Sequence, residues 1–334
     1  MKKIIILISI ALFVCSGAFA AKPKTFNIYG MALVLKEGAA PILPQAKKIN
    51  ELYGIDAYAL EDPLTPYNPK GNRIFDTKVG MIQTKEFVYK VCRDGRELSI
   101  AVDMALDQSK PAPVLFCIHG GAWMKGNNKS YSGMSKSLAK NNGITCVRIQ
   151  YSLVNDKNGV MFQDMIDDCR DAVKYVIKHA KELNVNPKSL GFIGSSAGGH
   201  LAAATALNFN SRTKVLVGWY GPYDLPLLET IYAPLTGSAL AKALKNCDEA
   251  YMKSVSPQYM IKSRVKFASL LLQGGCDTTV PAASAPNFAK ALKEHGAKVA
   301  EVVMYPYGTH SLSAGIYGRD LNEKTLEYLE KYLR

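Results

Sequence analysis

Histidine is scarce in this chain, with five residues among 334, and none stands in an H-E-x-x-H run or in paired His/Cys spacing. That excludes the familiar zinc-hydrolase signatures, and neither a catalytic metal nor another cofactor is expected. No two of the seven cysteines form a C-x-x-C pair, so a thioredoxin-like redox motif is excluded as well. Beyond the first twenty residues no apolar run is long enough to cross a bilayer, and stable membrane insertion is not expected. Basic residues outnumber acidic ones, 41 to 28, but they form no dense run and have no interleaved aromatics. Such scatter reads as a solvated surface and argues against a nucleic-acid interface. "GAWMKGNN" has the outline of a phosphate loop, yet Asn127 and Asn128 stand where Lys and Ser/Thr are required, which excludes ATP binding. There is no internal repeat and no low-complexity tract.

What is present begins with a leader. Lys2 and Lys3, the apolar run Ile4 to Val14 and the triplet Ala18-Phe19-Ala20 have the form of a cleavable secretory signal over residues 1–20. The expected location is therefore secreted or periplasmic. Cys15 is preceded by Phe13 and Val14 instead of a small residue, which argues against a lipoprotein anchor. Without the leader lysines the formal charge falls from +13 to +11, and six cysteines remain. They read as small buried hydrophobes in a compartment that also permits disulfides. At 48% hydrophobic and 21% charged residues, the remainder has the composition of a globular protein with one large core.

From about Lys85 strand-like and helix-like segments alternate. "EFVYKV" and "ELSIAVDMAL" suggest an antiparallel opening pair, "PVLFCIHGG" a buried strand, and "KSYSGMSKSLAKNNG" a helix closed by Gly143. "ITCVRIQYSL", "SLGFIG", "KVLVGWYG", "FASLLLQGG" and "KVAEVVMYP" follow as strands, separated by amphipathic segments such as "FQDMIDDCRDAVKYVIKHAKEL". This alternation predicts an α/β fold, a mostly parallel sheet with helices on both faces. Residues 21–84 fall outside the rhythm and are expected to form an N-terminal extension, with a helix near Gln45 to Leu52. Residues 85–334 make the expected catalytic domain, and a small helical cap is expected over about 225–265.

The segment "LGFIGSSAGGH" carries the chemistry. A sharp strand-to-helix turn that presents a nucleophile needs very small residues two before and two after it. Centred on Ser196, the flanks are Gly194 and Gly198. Centred on Ser195, one flank would be the bulky Ile193, so the register selects Ser196. A serine hydroxyl needs a positioned base. His179 reads as a surface residue of the long amphipathic helix, His295 as a helix-end residue before Gly296, His200 as packing beneath the turn, and His119 as a structural residue of its glycine-rich loop. His310, in "YPYGTHSLSAG" after the last strand, is left as the base. Asp277 and Asp224 both lie just past strands and both keep the Ser…Asp…His order. Asp277 is the favoured acid, with Asp224 read as a loop cap. Ala197, after the nucleophile, and Gly121 and Ala122, in "FCIHGGAWMKG", are the expected backbone donors to an oxyanion.

"HGGAW", "GSSAGGHLAA", "SPQYM" and "LLLQGGCDTTVP" with a late histidine resemble the secreted esterases of the α/β-hydrolase superfamily, in the hormone-sensitive-lipase-like and feruloyl- or acetyl-xylan-esterase-like branch. The likeness covers about residues 85 to 334. It implies an α/β-hydrolase fold, a Ser196, Asp277, His310 triad and oxyanion donors at Gly121, Ala122 and Ala197. Two departures stand out: Ala122 replaces a third glycine of many relatives, and "GTHS" replaces the more usual Gly-His-Gly-Phe run. The implied activity is cleavage of short acyl esters, acetyl or feruloyl, with a small molecule or a polysaccharide as the ester substrate. Two other readings stay open at this point: amide hydrolysis, as in arylformamidases or small peptidases, and a non-catalytic binding protein on a hydrolase scaffold.

Overall fold

The fold is seen in a computed structural model of the chain. The structure describes residues 24–28, 31–35, 82–106, 108–154, 159–232, 247–310, 312–314 and 317–333. The expected leader and the helix near Gln45 to Leu52 lie outside the described residues. The chain divides into two units, residues 1–61 and 62–334. The first contains an antiparallel hairpin of β1 (Lys24–Ile28) and β2 (Met31–Leu35), with Lys24 opposite Leu35 and Ile28 opposite Met31.

The second unit is built on eight strands: β3 (Ile82–Val91), β4 (Glu97–Ala105), β5 (Ala112–Ile118), β6 (Thr145–Ile149), β7 (Val185–Ser195), β8 (Thr213–Trp219), β9 (Ala268–Gly274) and β10 (Ala300–Tyr305). Their order across the sheet is β10-β9-β8-β7-β5-β6-β4-β3. β3 and β4 pair antiparallel, and β4 joins β6 antiparallel; every other neighbouring pair is parallel. The central strands are apolar almost without interruption because both faces are covered, so there is no solvent side on which a polar alternation could sit. Alternate residues of β5 go to opposite faces: Phe116 joins one core cluster, while Leu115 and Cys117 join the other. Phe116 stacks on Phe192 of β7 at 5.2 Å within the first cluster.

Seven helices are described: α1 (Ser132–Asn142), α2 (Phe162–Lys178), α3 (Ala197–Asn208), α4 (Leu225–Tyr232), α5 (Glu249–Ser254), α6 (Ser284–Glu294) and α7 (Gly318–Tyr332). α2 starts where the Met161 N–H donates to the Asp164 carboxylate, 2.8 Å. It buries Met165, Ile166, Cys169, Ala172, Val173 and Val176, a helical repeat facing the sheet. α1 ends on Gly143, whose φ of 62° closes the helix as its N–H returns to Leu138 O. Cys92, Cys117, Cys146, Cys169 and Cys276 are not in disulfides; Cys117, Cys146, Cys169 and Cys247 are buried.

One buried ion pair ties the antiparallel strands to the loop after β5. Asp103 on β4 accepts from Arg148 Nε on β6 at 2.7 Å, from Thr84 Oγ1 on β3 at 2.6 Å, and from the Ser135 hydroxyl on α1. Arg148 Nη1 also donates to Asn128 O at 2.6 Å. With every partner satisfied the pair tolerates burial; removing one charge would leave the other stranded, at a cost of about 3–5 kcal/mol. Because β5, β7, β8, β9 and β10 run parallel, the loops that follow them emerge at one edge of the sheet. That edge is where the residues singled out above converge.

Candidate active site

Between β7 and α3 the chain turns so tightly that Ser196 has φ 54° and ψ −125°. A serine there costs of order 1–3 kcal/mol and persists only if its surroundings hold it. The flanking glycines explain how they do. A Cβ at Gly194 would stand 2.1 Å from Gly198 O, and one at Gly198 would stand 2.1 Å from Ile118 O. The Ser196 N–H is fixed by Trp219 O at 2.8 Å, so the side chain is what the turn offers.

The Ser196 hydroxyl donates to His310 Nε2 at 2.8 Å, and His310 Nδ1–H donates to Asp277 Oδ2 at 2.9 Å. A carboxylate can only accept, so Nδ1 carries the proton and Nε2 is left as the acceptor of the serine hydroxyl. Asp277 is itself held on both oxygens. Thr279 and Val280 N–H groups donate to Oδ1 at 2.8 and 2.9 Å, and Gln273 Nε2 donates to Oδ2 at 3.0 Å. Two glycines let the Asp277 and His310 loops meet. A Cβ at Gly274 would stand 2.3 Å from Gly308 O, and the Cys276 N–H bonds that same carbonyl at 2.9 Å. Tyr220, at φ 40°, lays its ring edge-on to His310 with centroids 4.9 Å apart and bonds Ser313 Oγ at 2.8 Å.

Asp224 does not share in this arrangement. Its carboxylate accepts the Leu227 N–H at 3.2 Å, at the start of α4, and the Tyr259 hydroxyl at 3.1 Å. Together with α5 and a 3-10 turn at Pro257–Tyr259 it belongs to the segment where a cap was expected.

The glycine-rich loop after β5 runs against the serine turn: a Cβ at Gly120 would stand 2.7 Å from Ser195 O and 3.2 Å from Ser196 Cβ. Gly121, Ala122 and Trp123 have φ of 120°, 52° and 58°. Gly121 O accepts the N–H groups of Met124 and Lys125 at 3.0 and 3.1 Å, closing the turn. Ala197 is the first residue of α3, where backbone N–H groups have no partner inside the helix. His119 supports the loop: Nδ1–H donates to Gly120 O at 2.8 Å, and the ring stacks on Tyr151 at 4.3 Å. Burial lowers its pKa to about 4, so it stays neutral.

The side chains of the remaining histidines are engaged away from the serine hydroxyl. His200 is fully buried and bonds Val255 O at 2.7 Å. His179 pairs with Glu182 on the surface, and His295 caps the end of α6. Two contributors escaped the reading of the sequence. Gln273 was hidden in an apolar strand, although a lone amide in "LLLQGG" four residues before Asp277 was a usable signal. Tyr220 carried none, because its place beside His310 depends on two loops meeting.

Comparison with known proteins gives a consistent picture. The BD-FAE family model matches residues 101–292. A probable carboxylic ester hydrolase of Mycobacterium tuberculosis, LipM, is 29% identical over 225 residues, covering 62% of this chain and 51% of its own. An acetyl esterase of Salmonella schwarzengrund is 30% identical over 118 residues, 34% of this chain and 36% of its own. The chain thus spans about half the length of LipM and little more than a third of the acetyl esterase. Among solved structures, Thermogutta terrifontis esterase 2 phosphonylated by sarin aligns with a TM-score of 0.63 at 21% identity, covering 76% of this chain and 96% of that one.

Proposed function

The chain belongs to the BD-FAE family and has the α/β-hydrolase fold, and from that premise we propose that it is a serine esterase acting on short-chain acyl esters. One observation carries the reading: Ser196 Oγ, His310 and Asp277 form a continuous hydrogen-bonded chain at 2.8 and 2.9 Å, with the acid saturated by other donors. Secretion through a cleaved leader, and acetyl or feruloyl groups on polysaccharides as substrate, are part of the proposal. The Salmonella relative, by name an acetyl esterase, supports the short acyl group.

In the first half-reaction Ser196 Oγ attacks the acyl carbon while its proton passes to His310 Nε2. The imidazolium is stabilised by Asp277, which also holds the ring in the productive tautomer. The tetrahedral oxyanion is bound by the N–H groups of Gly121, Ala122 and Ala197, each such donor contributing on the order of 10²- to 10³-fold in rate. Collapse expels the alcohol, which takes the proton from His310. Water then repeats the sequence on the acyl-enzyme, releasing the carboxylic acid and restoring Ser196.

Turnover of p-nitrophenyl acetate, acetylated xylan, methyl ferulate and N-formylkynurenine by the mature protein and by Ser196→Ala tests this. Ester turnover should fall on the order of 10⁴-fold or more in the variant with its melting temperature kept. Ester cleavage that survives Ser196→Ala would refute the mechanism, and cleavage of the formamide alone would move the assignment to amide hydrolysis.

A further inference from the structure

His200 is conspicuous in the sequence, four residues beyond the nucleophile, and plays no part in the chemistry above. Its two ring nitrogens are nevertheless both engaged. Nε2 lies 2.7 Å from Val255 O, an atom that can only accept, so Nε2 carries the proton. Nδ1 is then an acceptor, and it receives the indole N–H of Trp123 at 3.3 Å. The two rings meet edge to face with centroids 5.5 Å apart, and Phe162 packs against both, at 5.1 Å from the indole and 6.2 Å from the imidazole. Trp123 and His200 are 2% and 0% exposed, so neither bond is shared with bulk water.

Resting on the esterase reading, we propose that His200 is a positioning residue for the oxyanion-binding turn: by holding the Trp123 indole it fixes the Gly121–Ala122 peptide groups opposite Ala197. Ala122 and Trp123 are consecutive non-glycine residues at positive φ, a conformation that costs of order 1–2 kcal/mol per residue. Such a turn stays put only where something over-determines it. Ala122 has just a methyl group with which to be held, so the anchor falls to its neighbour. The Trp123 carbonyl accepts the Val154 N–H at 2.8 Å, and the indole is clamped by His200 and Phe162. Since His200 lies on α3, whose first residue is Ala197, one side chain couples the two halves of the donor set. Its bond to Val255, at the end of α5, secures the ring itself. Burial lowers the His200 pKa to about 4, so it remains a neutral acceptor where esterases are assayed.

Two substitutions separate the roles of the two nitrogens. An amide at the Nδ1 position, His200→Asn, keeps an acceptor for Trp123 and gives up Val255. His200→Gln reaches Val255 and gives up the acceptor. With p-nitrophenyl acetate, His200→Gln should lose about 10- to 100-fold in kcat with KM within about twofold, as expected when oxyanion donors are misplaced but not removed. Binding of a trifluoromethyl ketone, which forms a tetrahedral adduct with the serine, should weaken by the same factor. His200→Asn should keep kcat within about threefold, given that a good acceptor replaces Nδ1. Trp123→Phe should reproduce the His200→Gln loss, and the double variant should add nothing to it. Trp123→Phe also decides the matter if either His200 variant does not fold. Equal losses in Asn and Gln variants, additive losses in the double variant, or a kcat loss unmatched by the ketone would overturn the proposal. A wild-type protein inactive on every ester, or active without Ser196, would instead remove the esterase reading beneath it.

Discussion

At the scale of single residues, the two acids show how a carboxylate's partners decide its role. Asp277 spends one oxygen on backbone N–H groups and keeps the other for His310 and Gln273, a pattern that fixes the orientation of the carboxylate. Asp224 spends its oxygens on a helix start and a tyrosine. Asp277→Asn is therefore expected to lower kcat on the order of 10⁴-fold, because an amide favours the wrong tautomer of His310. Asp224→Asn should keep kcat within about threefold and, because Asn caps a helix about as well as Asp, change stability by no more than about 0.5 kcal/mol. Steady-state kinetics and urea unfolding of the two variants check both; a larger kcat loss from Asp224→Asn would reverse the assignment. From sequence alone the register favours Ser196 over Ser195, because steric demand at Gly194 and Gly198 is a local property. The choice between the acids could not be closed in the same way, since it depends on which loop lands beside His310.

At the scale of elements, the strands were readable because a sheet covered on both faces writes itself as unbroken apolar runs, as in β5, β8 and β9. β7 was read too short. It begins at Val185 and not near Ser189, because its first residues, "VNPKS", are largely uncovered and so carry no apolar mark. Of these only Val185 has a strand partner, Ala112, before the register shifts to Val114 opposite Leu190. The turn from β7 to α3 is the element on which function depends most. Gly198→Ala would put a Cβ 2.1 Å from Ile118 O, a backbone atom that cannot swing aside. The expected result is a loss of several kcal/mol in urea unfolding together with at least a 100-fold drop in ester turnover. Wild-type stability and turnover in this variant would show that the crossing of turn and strand is looser than described.

At the scale of the whole molecule, the site is embedded in a core that excludes water from two neutral histidines. His119, packed by Tyr151 and Gly126, and His200, packed by Trp123, Phe162 and Val255, both have pKa values lowered by burial from 6.5 to about 4. The unfolded chain takes up these protons below its ordinary histidine pKa, whereas the folded protein refuses them. Their contribution to stability is thus complete above about pH 6.5 and is lost as the pH falls toward 4, roughly 3 kcal/mol for each. Urea unfolding should show the free energy falling between pH 6.5 and 5, where ordinary carboxylates are still ionised. A flat profile across that window would mean the two rings are not kept neutral by burial.

The account as a whole turns on Ser196 being the activated nucleophile. Intact-mass analysis of the protein after reaction with a fluorophosphonate, followed by peptide mapping, tests that most directly. The expected result is a single adduct on Ser196, absent from Ser196→Ala and slowed strongly by His310→Ala. An adduct on Ser195, or a protein that cleaves esters while resisting the probe, would contradict it.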